Sequence, residues 1–302
     1  MAAEPGSPLV KGILLQLGGP LQSWGEHSDF TDRDTQAHPT RSGLIGMIAS
    51  ALGIPRDQAA VLPEGHQGTP TAFGRLTQLR FTVRYDRPGT RLRDFHTVGG
   101  GYPAHRTVPT AKGGRRTAGM TTIVTHRTYL SDAVFTVAVT APDEPELTTE
   151  CAQALTSPRW PLHLGRRSCP PAAPFLLRTD SPDPVQELLT MPLARLRPGS
   201  RRLGDEDPTQ TTESGPATVP VRFTADTPFP AGFSPSTSPR TSVSTLNDEP
   251  VRLASRDRVY RSRPAYATNC PLPEELCAGL GLAYLDRLDT YLHPSQHERS
   301  VR

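Results

Sequence analysis

The sequence predicts an α+β fold: a ferredoxin-like domain that carries a long β-hairpin insertion and ends in a less ordered C-terminal region. Three observations predict it. Segments with strand and helix patterning follow one another as strand, helix, strand, then strand, helix, strand, the order of a split β-α-β fold. Some 45 residues, rich in Gly, Thr and basic side chains and nearly without apolar periodicity, separate the second and third strands, a connection long enough to be either functional or disordered. Pro and Gly together make 58 of 302 residues and the apolar fraction is 35%, so much of the chain is loop.

Residues 1–10 read as a disordered tail. "KGILLQL", Lys11 to Leu17, is a short apolar run and a buried strand, stopped by "GGP". A helix follows from about Arg41 to Leu52, with Thr40 as N-cap after Pro39 and Gly53 as C-cap. Leu44, Ile45, Ile48 and Leu52 form its apolar stripe, while Gly43, Gly46 and Ala49 open a face that another backbone can approach. In "QLRFTVRYD" Leu79, Phe81, Val83 and Tyr85 alternate with Arg80, Thr82 and Arg84, a half-buried strand. "DAVFTVAVT" is the third strand, and Glu146 to Leu155 the second helix. In between, Arg87 to Ser131 suits a long hairpin, with Thr97-Val98 and Ile123-Val124 on its arms. Residues 201–245, rich in Ser, Thr, Pro and Asp, read as a flexible insertion. "VRLASRDRVYRSRPAY" returns to strand patterning, and "PEELCAGLGLAYLDRLDTYL" reads as a peripheral helical tail. The expected divisions are thus a domain at 11–178, with the hairpin at 87–131, an extension at 179–268 and a tail at 269–302.

Formal charge is only +3, and the basic residues are Arg except for Lys11 and Lys112. Their distribution is uneven: Arg75 to Leu130 holds eleven Lys or Arg against Asp86 and Asp94, with three His among them. Such a block is either a solvated face or a nucleic-acid surface. Cys151, Cys169, Cys270 and Cys277 are too scattered for a zinc knuckle or disulfide framework, and read as structural thiols. No run approaches the roughly 20 apolar residues of a membrane span, so the expectation is a cytoplasmic protein without membrane contact.

The enzyme motifs fail on spacing. "GGPLQSWG" lacks the glycine spacing of a dinucleotide fingerprint, and "PTRSG" lacks the lysine of a P-loop, so no cofactor is expected. No His pair has metal-ligand spacing, and Asp29, Asp32 and Asp34 lack the Gly and Glu that complete a cation loop. A metal-free ribonuclease needs a base, an acid and a cation, which His96, His105, Lys112 and His126 can supply or which can equally be phosphate donors. The binding signals are stronger. Free N–H groups at the helix start, beside Arg41 and Ser42, suit an anion. "GRRSC" offers two guanidiniums for phosphates. Trp24, in a Gly-flanked loop, either stacks on a base or folds over the core.

"LQLGGPLQSWG", "HPTRSGLIGMIASALGI", "LRDFHTV", "THRTYLSDAVFTVAV", "SPRWPLHLGRRSCPP" and "VRFTAD" stand in an order that resembles the CasD family, the family-five RAMP subunit of the type I-E CRISPR surveillance complex, Cascade. The resemblance spans about residues 11–268 in blocks. It implies an RRM/RAMP-type ferredoxin-like domain whose hairpin at 87–131 is a "thumb". It also implies a non-catalytic, antiviral role: capping the 5′ handle of the CRISPR RNA and joining backbone subunits to the large PAM-recognising subunit, with target DNA met indirectly. On this reading Gln22, Ser23, Trp24, Thr40, Arg41, Ser42, Gly43, Arg166 and Arg167 hold the handle. His96, Thr97, Arg106, Arg115, Arg116 and Arg127 shape the RNA backbone on the thumb. A metal-independent ribonuclease that cuts the repeat is the alternative. The segments 201–245 and 269–302 are longer than the family leads one to expect.

Overall fold

A computed structural model describes residues 10–25, 31–62, 68–110, 112–117, 121–199, 217–233, 241–254 and 257–294. The strand β1 (Gly12–Gly18) is followed by two short strands, β2 (Leu21–Gln22) and β3 (Asp32–Arg33), and by the helices α1 (Arg41–Leu52) and α2 (Ala72–Leu76). Next come β4 (Arg80–Arg87), β5 (Thr90–Val98), β6 (Ile123–Ser131) and β7 (Val134–Thr140), then α3 (Pro145–Thr156), β8 (Leu176–Ser181) and α4 (Pro184–Glu187). The chain ends in β9 (Thr218–Ala225), β10 (Ser242–Leu253), β11 (Arg258–Pro273) and α5 (Gly281–Leu292).

Seven strands form one sheet in the order β10-β11-β9-β4-β7-β1-β8, every pair antiparallel. Four of them, the adjacent β4, β7, β1 and the edge strand β8, with α1 and α3, follow the strand, helix, strand order expected twice over. The central strands are covered on both faces, which is why β1 reads as a nearly continuous apolar run and β7 is buried along its whole length. Leu15 and Leu17 join the cluster under α1 and α3, and Leu14 points the other way, into a cluster with Phe223, Tyr284 and Leu288. The helix α5 is therefore not peripheral: Tyr284 and Leu288 are buried on the sheet, each worth about 1.5–3 kcal/mol.

Double coverage also reverses the expectation for Arg84. Alternation with apolar neighbours placed it outward, yet it is fully buried and grips Asp86 at 2.6 Å while donating to the carbonyls of Leu188, Met191 and Pro192. A guanidinium that saturated can be buried because no donor is stranded.

The helix α1 has the bounds that its caps dictate. Thr40 Oγ1 accepts from Gly43 N at 3.3 Å, and Gly53 closes the far end at φ 75°, a left-handed conformation open to glycine. Strand β5 pairs with β6 in register from Thr90↔Ser131 to Val98↔Ile123, so the segment expected to be a hairpin is one. The short strands β2 and β3 flank β6 at its base.

Two expectations about chain organisation are corrected. The division at 178/179 falls within one sheet, since β9 pairs with β4 and β11 continues outward from β9. The segment expected to be a flexible insertion contains β9 and the start of β10, and the tail from 269 opens inside β11. Alternation in Val219, Val221, Phe223 and Ala225 was the overlooked signal, all four being buried. Residues 201–216 and 234–240, and the expected tail 1–10 apart from its last residue, lie outside the described residues. No helix among the described residues is long and apolar enough to cross a membrane.

Candidate nucleic-acid interface

The start of α1 is an anion site that the protein fills itself. The Arg41 N–H donates to Asp248 Oδ2 at 2.8 Å, and its guanidinium pairs with Asp226 at 2.6 Å and with Glu249. The carbonyls of Leu79 and Thr77 take two more of its donors, both at 2.6 Å. Arg263 closes the network from β11, 3.0 Å from Asp226 and 2.7 Å from Asp248. Burial alone would lower the Arg41 pKa; the carboxylates of Asp226 and Glu249 outweigh it and leave it raised. The expectation that Arg41 offers its guanidinium to a phosphate is thus corrected, because every donor group faces an internal acceptor. The acids lie 185 to 208 residues away, beyond any motif.

Loop 22–24 is likewise structural. Trp24 is fully buried, not exposed, and its Nε1 donates to Gln22 Oε1 at 3.0 Å. Gln22 in turn donates to the carbonyls of Leu17 and Ala133, both at 2.8 Å, and Ser23 Oγ donates to Thr128 O. Gly43 does not cradle an anion: a Cβ there would stand 2.8 Å from the Trp24 ring, so glycine makes room for the indole. Ser42 is half-buried, its hydroxyl 3.5 Å from Thr40 Oγ1.

The hairpin is different. Its register divides the two faces. Asp94, His96, Arg127 and Tyr129 share one, through the pairs Asp94↔Arg127 and His96↔Thr125. Parallel pairing of β3 sets Arg33 beside Arg127 on that face. Arg166 completes it, stacked 4.8 Å over the Tyr129 ring and donating to the carbonyls of Thr128 and Arg33 at 3.0 and 2.8 Å. Arg167 is exposed beside it. The Nε of Arg127 is buried without an acceptor, as is that of Arg116. The opposite face holds Arg93, exposed Phe95, Thr97 and His126, with Asp32 pairing to Arg93 at 3.0 Å and Asp34 pairing to Arg91. Loop 32–34 thus neutralises one face and leaves the other basic. Toward the tip His105, Arg106, Lys112 and Arg115 are exposed, Arg115 also donating to Thr107 O.

His96 and His126, the pair on which a ribonuclease would most naturally draw, stand on opposite faces of the hairpin. Arg33 escaped the sequence reading because a two-residue strand carries no periodicity. Among the described residues no group of His, Cys, Asp and Glu could hold a metal. All four cysteines are buried.

The model of the family described as CRISPR-associated protein (Cas_Cas5) matches residues 12–226, from β1 to the acid that grips Arg41. The chain belongs to this Cas5 family. The CRISPR system Cascade subunit CasD of Escherichia coli (strain K12) is 35% identical over 187 residues, covering 59% of this chain and 75% of that one. A solved chain described as "CRISPR RNA-guided surveillance complex" is 43% identical, with a TM-score of 0.71, over 93% of this chain and 99% of its own. Another, described as "Crystal structure of Cas protein", is 24% identical, covers 89% and 98%, and at a TM-score of 0.50 speaks to the fold alone. The strands β10 and β11 follow the matched residues, so this Cas5 chain draws Asp248, Glu249 and Arg263 of its buried network from beyond them.

Proposed function

We propose that this Cas5 protein is a non-catalytic RNA-binding subunit of a type I-E Cascade complex that caps the 5′ handle of the CRISPR RNA. On this reading β4, β7, β1 and β8 with α1 and α3 are a RAMP-type ferredoxin-like domain, and the β5/β6 hairpin is the thumb. The observation that carries the reading is the basic hairpin face: Arg33, Arg127 and Arg166 cluster where Asp94 is the sole acid on the two arms' shared face. Guanidiniums so placed fork onto phosphates. Arg106, Arg115, Arg116, Arg167 and His96 extend the track. Thr97, on the opposite face, adds a hydroxyl at the far end of β5. The buried residues Gln22, Ser23, Trp24, Thr40 and Arg41, with Ser42 and Gly43, shape the base on which the hairpin stands. Backbone subunits and the large PAM-recognising subunit are the protein partners that the family resemblance implies.

About five phosphate contacts imply a salt slope near −3.5, hence a loss of roughly 100-fold in affinity for single-stranded RNA from 50 to 200 mM salt. Titration of a repeat-derived handle RNA measures it, and a salt-independent affinity would refute electrostatic capture. Incubating the same RNA with the protein in EDTA tests the ribonuclease alternative. A discrete cut abolished by His96→Ala or His126→Ala would replace this reading.

A further inference from the structure

The strands β9, β11 and β10 carry the sheet past the start of α1, and a cavity of about 210 Å³ lies at that margin. Register builds its floor from small side chains, Thr224 opposite Ala267 and Ala265 opposite Ser244. Phe81 and Leu246 stand to the sides of this small-residue floor, on which a flat ligand can lie. Arg222 stands at the wall, its guanidinium 5.4 Å over the Tyr85 ring. No carboxylate among the described residues forms an ion pair with it, in contrast to Arg41 and Arg263, which share Asp226 in the same wall. Asp226, Asp248 and Glu249 together neutralise Arg41 and Arg263, so Arg222 is the guanidinium of this lining left to meet an anion.

His38 supplies the directional group. Its Nδ1 donates to Pro39 O at 3.1 Å, which leaves Nε2 as the acceptor of the neutral ring. Burial favours that neutral form, outweighing the pull of Asp248, with Arg222 and Arg263 acting in the same sense as burial. The volume is below the roughly 300 Å³ at which drug-sized sites begin, so one base fits and two do not.

We propose that this cavity takes a single unstacked nucleotide, its base on the Ala265 and Ala267 floor, a base N–H on His38 Nε2 and its phosphate on Arg222. The proposal rests on the RNA-binding reading for its source of nucleotide, while the site itself is independent of the hairpin. Two sources share this chemistry, a nucleotide of bound RNA and a free mononucleotide.

The test uses the full chain with handle RNAs carrying 2-aminopurine at each position in turn, and with 2-aminopurine riboside 5′-monophosphate alone. The expected result is a fluorescence change confined to one RNA position, lost together with at least about tenfold in affinity in Ala267→Leu and in Arg222→Gln. Arg127→Ala should weaken the RNA yet leave the labelled position's signal intact at saturation. Binding of the free monophosphate alone, sensitive to the same two variants, would assign the site to a mononucleotide. If RNA binds but no position responds to either variant, and the monophosphate does not bind, the cavity proposal is overturned while RNA binding stands. If RNA does not bind the wild-type protein, the functional reading fails, and the monophosphate titration decides the cavity. Should Ala267→Leu fail to fold, Arg222→Gln at its exposed position carries the same decision.

Discussion

Replacing Arg41 separates two accounts of the motif at the start of α1. Arg41→Ala removes the partner of Asp226 and Glu249 and the donors to Leu79 O and Thr77 O, in surroundings where Arg41 is 6% exposed. Asp226 keeps Arg263 and the Phe81 N–H, whereas Glu249 loses its charge partner. Breaking a buried pair from one side costs about 3–5 kcal/mol. For a domain of this size each kcal/mol shifts the melting temperature by about 2–4 °C, so the expected drop is roughly 6–20 °C. Thermal and urea unfolding measure it, and at a temperature where the variant is folded its handle-RNA affinity should stay within about threefold of wild type. A variant as stable as wild type that binds RNA a hundredfold more weakly would refute the internal network and return Arg41 to the RNA.

Further outcomes follow from the same geometry. Gly43→Ala should destabilise by about 1–3 kcal/mol in a urea melt, because overpacking against Trp24 outweighs the gain of up to about 1 kcal/mol in helix propensity. Trp24 should resist acrylamide quenching and keep its emission on RNA addition, while Trp160, 40% exposed, carries the quenchable signal; Trp160→Phe isolates the two. Burial pushes the Cys151 thiol from 9.0 up to about 12, so the native chain should resist iodoacetamide there at pH 8. Its proton is held more tightly folded than unfolded, so this contribution to stability is whole below pH 9 and is lost as pH rises from there toward 12, which Cys151→Ser removes from a pH series of melts.

Local chemistry made part of this fold legible. The bounds of α1 follow from Thr40 and Gly53, whose capping acts within one turn, and β4 and β7 follow from alternation. The failures share one cause, which is information held at long sequence separation. An Arg at a helix start reads as a free cation until Asp226, Asp248 and Glu249 arrive from the far end of the chain. Arg84 reads as outward until α4, α5 and the 188–192 turn cover the second face. Trp24 was open between two roles, and the glycine that decides it stands 19 residues later in the sequence. The hairpin was visible because its two arms are near in sequence, but the split of its charge between faces needed the register, and Arg33 needed β3.

The central claim is that RNA lies on the hairpin face that Arg33 and Arg127 share. Titrating handle RNA against wild type and the double variant Arg33→Ala/Arg127→Ala across a salt series tests it most directly. The account predicts unchanged melting, an affinity loss of at least about tenfold at low salt, and a salt slope smaller in magnitude by about 1.4, the share of two phosphate contacts on a single strand. Equal affinity and an equal slope in the double variant would contradict it.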